Sequence, residues 1–128
     1  MEITERKHDG ITVWEVKGRL DSNTASQLEE KLEALLAEKE QKLLIDFSHL
    51  DFISSAGLRV LLWGMKTLRA AKGRLALSSL KENVKEVFDI SGFNAALPYF
   101  MGMEDAVFFL YQDIDSPKEE HSPKEVQP

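Results

Sequence analysis

Apolar residues recur along this chain with two periods, and the changes of period mark its elements. Ile11-Thr12-Val13-Trp14-Glu15-Val16-Lys17 sets Ile11, Val13, Glu15 and Lys17 on one face and Thr12, Trp14 and Val16 on the other. It is rich in β-branched and aromatic residues and reads as a strand, stopped by Gly18. Residues 2–7 read as a short edge strand before it, joined through the hairpin turn Asp9-Gly10. The polar loop Arg19-Leu20-Asp21-Ser22-Asn23-Thr24 follows, and Thr24-x-x-Gln27 fits a capping box. The period then becomes helical: Ala25, Leu28, Leu32 and Leu35 form one stripe of a helix running to about Glu38.

The stretch from Lys42 to Gly73 organises the rest. Residues 42–47 are apolar enough for a central strand buried on both faces. Ser48-His49-Leu50-Asp51 reads as a polar turn, and Phe52-Ile53-Ser54-Ser55-Ala56-Gly57 as a junction into a long helix. In that helix Leu58, Leu61, Leu62, Met65 and Leu68 share one face; Arg69 and Lys72 suit the negative end of its dipole, and Gly73 is placed for the C′ position. Trp63 lies off the stripe, on a second core face or at a partner contact. Arg74–Ser78 is a short strand, and Ser79-x-x-Glu82 a second capping box, opening a helix through Val84, Val87 and Phe88 that Gly92 ends. Residues 96–100 suggest a last strand confined by Pro98 to an edge; Glu104 and Asp105 begin a final helix reaching Tyr111. The order β-β-α-β-α-β-α-β-α predicts an α/β fold: a mixed sheet with a parallel portion and about four helices packed on it.

The length of 128 residues suits one domain with a sizeable core. A net charge of −6 argues against a general nucleic-acid binder. The chain has no cysteine, which removes disulfides, thiolate metal sites and cysteine nucleophiles. The first residues hold no apolar signal segment, and no run approaches the ~20 apolar residues of a membrane span, so a cytoplasmic protein is expected. From Gln112 onward the composition turns polar, with Ser-Pro-Lys-Glu twice, and residues 112–128 are expected to be a disordered tail.

Two serines stand at the entrance of the long helix. A hydroxyl there can cap backbone N–H groups, and an added phosphate would meet the positive end of the dipole. On local chemistry alone either Ser54 or Ser55 can be no more than an N-cap. Asp21 can simply support the turn before the first helix, Asp46 can accept backbone N–H bonds at the junction, and Arg59 can be solvated. His8, His49 and His121 are scattered, and no nucleophile elbow, phosphate loop or metal-ligand spacing appears, so no enzymatic activity is expected.

Asp46-x-Ser48 followed by Phe52-Ile53-Ser54-Ser55-Ala56-Gly57-Leu58-Arg59-Val60 resembles the signature of the STAS domain. More narrowly it is similar to the bacterial anti-sigma factor antagonists of sporulation and stress response, over roughly residues 3–111. The resemblance implies the same α/β architecture for a domain at residues 1–111. It makes Ser55 the phosphoacceptor, with Ser54 second, since many members carry aspartate where Ser54 stands. Gly18-x-Leu20-Asp21 resembles the family's Gly-x-Leu-Asp, whose aspartate lies near the acceptor. The implied partner-binding residues are Asp21, Ser22, Asn23, Ser54, Gly57, Leu58 and Arg59, with a minor docking role for Ile90-Ser91-Gly92-Phe93. The implied partner is an anti-sigma factor with serine-kinase activity, and a serine phosphatase is a further one; neither nucleic acid nor membrane is expected as a partner. No cofactor belongs to this chain, since ATP and Mg²⁺ would be the kinase's. The alternative is a STAS scaffold or ligand-sensing module, not phosphorylated, in another signalling assembly.

Overall fold

The computed structural model describes residues 1–38 and 42–112; the tail expected at residues 112–128 lies outside them from residue 113 onward. The elements run β1 (Glu2–His8), β2 (Ile11–Leu20), α1 (Ala25–Ala37), β3 (Lys42–Ile53), α2 (Ser55–Ala70), β4 (Arg74–Ser78), α3 (Glu82–Ser91), a 3₁₀ turn (Phe93–Ala95), β5 (Tyr99–Phe100) and α4 (Met103–Leu110). The sheet order is β1-β2-β3-β4-β5. β1 pairs antiparallel with β2, and every later pair is parallel. The predicted α/β architecture is the one observed.

A strand order that follows the chain order, with crossovers of one hand, sends all three crossover helices to the same face. Their stripes meet there: Leu28, Leu32 and Leu35 of α1, Leu58, Leu61, Met65 and Leu68 of α2, and Val84 and Phe88 of α3 pack on Trp14, Val16, Ile45, Phe47 and Leu77. The opposite face of the sheet carries a smaller core, where Ala106 and Leu110 of α4 cover Ile11, Val13, Leu44 and Ala76. The alternation read along β2 is therefore correct, one apolar set for each core. The fully buried leucines Leu61 and Leu68 of α2 contribute about 1.5–3 kcal/mol each.

Several local expectations give way to tertiary pairing. Gly18 does not stop β2. It sits within the strand at φ +108°, and pairing with the far end of β3 carries β2 on to Leu20. Ser48–Asp51 is not a turn but part of β3. Its partners jump from Glu15↔Asp46 to Lys17↔His49 and from Gly18↔Leu50 to Arg19↔Phe52, so β3 bulges twice. Asp46 Oδ1 accepts the Ser48 N–H at 2.9 Å and holds the first bulge, while Leu50 turns back into the core.

Neither capping box forms. Thr24 is the N-cap of α1 without a side-chain bond to the helix, because its hydroxyl donates to Arg19 O and accepts from Asp21 N, both at 2.9 Å. Ser79 stands before α3 at φ +64°, its N–H bonded to Phe100 O at 2.9 Å, and Lys81 occupies the N-cap. At the end of α2 the left-handed C′ residue is Lys72 rather than Gly73. Lys72 N bonds Arg69 O and Gly73 N bonds Leu68 O, the paired bonds of a Schellman motif. Leu62 is half-buried, while Gly57 and Gly64 share the buried face of α2. A Cβ on Gly64 would come within 2.9 Å of Leu32 Cδ1, so glycine lets α1 and α2 approach. Trp63 packs half-buried against the core.

Candidate functional site

The serine junction lies at the carboxyl ends of β2 and β3, the edge where open α/β sheets place their sites. Ser54 is the N-cap of α2, with extended backbone (φ −107°, ψ 174°). Its N–H donates to Leu20 O at 2.9 Å, its carbonyl accepts from Leu58 N at 3.0 Å, and its Oγ accepts from Gly57 N at 3.4 Å. All three groups are thus spent on holding the turn. Ser55 is the first helical residue and is exposed. Among the described residues its hydroxyl makes no hydrogen bond. Two adjacent serines of identical chemistry therefore differ in availability, and the one with the free hydroxyl stands over the positive end of a sixteen-residue helix.

The β2–α1 loop is joined to this turn. Leu20 pairs with Ile53 as well as bonding Ser54, and a Cβ on Gly57 would meet Leu20 Cγ at 2.6 Å. Only glycine lets the first turn of α2 seat against Leu20. Asp21 follows directly. Its Oδ1 accepts from Asn23 N at 3.0 Å, and its Oδ2 lies 3.3 Å from Arg19 Nε. Partial burial pushes the Asp21 carboxyl up, but the hydrogen bonds from Asn23, Arg19 and Thr24 outweigh it and hold the group below its ordinary value. Asp21 is an ionised brace of the loop whose tip, Ser22 and Asn23, is exposed.

On the other flank Lys81 Nζ contacts Asp51 Oδ1 at 2.6 Å, and Asn83 Nδ2 donates to Asp51 O at 2.7 Å. The hydrogen bond and charge of Lys81 lower the Asp51 carboxyl. β4 ends before this stretch of β3, so Asn83 occupies a carbonyl that a neighbouring strand would otherwise take. Arg19 completes the rim, its guanidinium 4.1 Å above the Phe52 ring.

The structure thus brings together Asp21, Ser22, Asn23, Ser54, Ser55 and Gly57 on one edge. Arg59 is exposed one turn into α2, whereas Leu58 is buried beneath it. Ser91 and Gly92 serve the end of α3: Ser91 Oγ donates to Phe88 O, Gly92 takes φ +81°, and Ile90 is 85% exposed. Sequence reasoning missed Arg19 over Phe52 and the Lys81–Asp51–Asn83 clamp. These join residues thirty to thirty-three positions apart, and no local spacing marks them. His49 approaches Ser48 Oγ at 3.2 Å and Glu15 Oε2 at 3.6 Å through the same nitrogen, which is not a relay. With Glu2, Thr4, Glu15 and Lys17 it lines a shallow polar hollow that includes none of the junction residues. Among the described residues no group of three or more acidic or histidine side chains could hold a metal ion, and no helix is long and apolar enough to cross a membrane.

A family model of the STAS domain matches residues 2–106. The chain belongs to the STAS domain family. This STAS domain is 42% identical over 106 residues to BtrV of Bordetella bronchiseptica, described as an anti-sigma factor antagonist, covering 83% of this chain and 91% of BtrV. It is 32% identical over 94 residues to the anti-sigma-B factor antagonist of Listeria monocytogenes, covering 73% of this chain and 82% of that one. The crystal structure of an anti-sigma factor antagonist from Mycobacterium paratuberculosis superposes with a TM-score of 0.78 at 25% identity, over 87% of this chain and 94% of the other. The whole serine junction lies inside the matched range.

Proposed function

We propose that this STAS domain is an anti-sigma factor antagonist whose binding is switched by phosphorylation of Ser55. Unmodified, it binds an anti-sigma factor that is also a serine kinase, and so frees a sigma factor. In the reverse step Ser55 Oγ takes the γ-phosphoryl group of the kinase's ATP. The bond to ADP breaks, and the hydroxyl proton passes to a base of the kinase. A serine phosphatase restores the hydroxyl by hydrolysis. The chain itself acts as binding partner and protein substrate.

The observation that carries this reading is the division of labour between the two serines. Ser54 is committed to the turn, and Ser55 offers an exposed hydroxyl in the next position. Its relatives' names support the partner class. A phosphoserine carries about −1.5 to −2 charges. Backbone N–H groups of its own helix compensate that charge, whereas a partner surface fitted to a hydroxyl would have to desolvate it. A loss of about 4 kcal/mol lowers affinity roughly a thousandfold.

The test is affinity capture from the native cell, with mass spectrometry of both partners and phosphosites, followed by binding of the recovered kinase to wild type, Ser55→Ala and Ser55→Asp. Wild type and Ser55→Ala should bind, and Ser55→Asp should not. Phosphate on Ser54 or Ser48 instead would reject the assignment of Ser55, and phosphate nowhere would favour a scaffold.

A further inference from the structure

Ser55 and Arg59 stand four residues apart in the first two turns of α2, and both are exposed. Residues at i and i+4 share a helix face, and each Cα–Cβ bond tilts toward the helix N-terminus. A long side chain at position 59 therefore extends back over the turn that Ser55 opens. The other cations of this edge are engaged. Lys81 Nζ lies 2.6 Å from Asp51, and Arg19 is divided between Asp21 at 3.3 Å and the face of Phe52 at 4.1 Å. Arg59, among the described residues, takes part in no ion pair, hydrogen bond or ring contact.

Resting on the reading of Ser55 as acceptor, we propose that Arg59 is the intramolecular receptor of the Ser55 phosphate, closing onto it in cis. The planar guanidinium donates two parallel N–H bonds to phosphate oxygens, a geometry that lysine cannot reproduce. The consequence reaches beyond the added charge. A phosphate held within its own helix also removes Arg59 from the exposed surface beside the acceptor. Modification then changes two charges of the docking edge instead of one, and the partner loses a cation at the moment it meets an anion.

The test needs no kinase. Phosphoserine is incorporated at position 55 during translation, and the phosphate is titrated by phosphorus NMR in the full chain, in Arg59→Gln, in Arg59→Lys and in Arg19→Gln. A neighbouring cation favours the dianion, so the second ionisation should lie lower with Arg59 than with Gln, by about 0.4 unit or more, a two- to threefold change in the ionisation constant. Arg59→Lys should retain part of the shift, and Arg19→Gln should leave it unchanged. Thermal melts of each variant check that the fold is kept. Equal titration of wild type and Arg59→Gln overturns the proposal, as does a larger effect from Arg19→Gln. Absence of phosphate on Ser55 in the cell would instead remove the functional reading and leave the titration as measured.

Discussion

Gly57 seats directly on Leu20: a methyl group in place of its hydrogen would lie 2.6 Å from Leu20 Cγ and 3.1 Å from Leu20 O. This contact joins the β2–α1 loop, with Asp21 at its start, to the first turn of α2. Gly57→Ala gains helix propensity of up to about 1 kcal/mol but must push Leu20 or the backbone aside, at about 1–3 kcal/mol. The expected net result is a lower thermal midpoint. Weakened partner binding should accompany it, because the two flanks of the edge move apart. A midpoint equal to wild type would mean that the junction relaxes freely.

The two serines should separate in stability measurements. Ser54→Ala removes the cap of α2 and should cost about 0.5–2 kcal/mol, nearer the lower value because the bond is 3.4 Å long. Ser55→Ala should be close to neutral, and Ser55→Asp should gain about 0.3–1 kcal/mol from the helix dipole. Urea unfolding of the three variants orders them directly. The reverse order, with Ser55→Ala the weaker protein, would show that Ser55 is the structural residue.

Asp51 gives a pH signature. Its carboxyl lies below the ordinary value of 3.8 in the folded state because Lys81 bonds and attracts it. A depressed folded value contributes stability that is present above 3.8 and lost as the pH falls through the lower folded value. Lys81→Met should therefore lower the urea midpoint at neutral pH, with the difference from wild type narrowing on acidification below that point. Asp51 is solvent-exposed, so the effect is small and weakens with salt. A difference that grew with acid would contradict the pairing.

Tyr99 supplies the alkaline counterpart. Burial and the bond from its hydroxyl to Asp89 at 2.9 Å push the phenol up to about 12. A raised folded value gives stability present below the ordinary value of 10.0 and lost as the pH rises through about 12. Phenolate absorbance should show Tyr99 ionising late, and Asp89→Asn should bring it down. An early titration of Tyr99 would place its ring in solvent.

Hydrophobic periodicity alone determined most of this architecture. The stripe Ala25, Leu28, Leu32 and Leu35, the faces of β2 and the helical run after Ser55 each report burial that any fold of this chain must satisfy, because the transfer of those side chains from water outweighs local preference. The entrance of α2 was legible for the same reason: a strand ending in two serines before a helical stripe leaves few other places for the N-cap. Tertiary structure decided what local chemistry leaves degenerate. Ser48–Asp51 has turn composition, yet it is drawn into β3 because β2 offers a pairing edge and Leu50 a place in the core. Thr24 and Ser79 have capping sequences, yet Thr24 gives its hydroxyl to the Asp21 loop and Ser79 bonds β5 through its backbone. Which serine caps and which remains free depends on Leu20 O, a group thirty-four residues away that holds Ser54 by its N–H. A hydroxyl, an amide or a carboxylate has several partners of nearly equal energy, and only the arrival of distant chain selects among them.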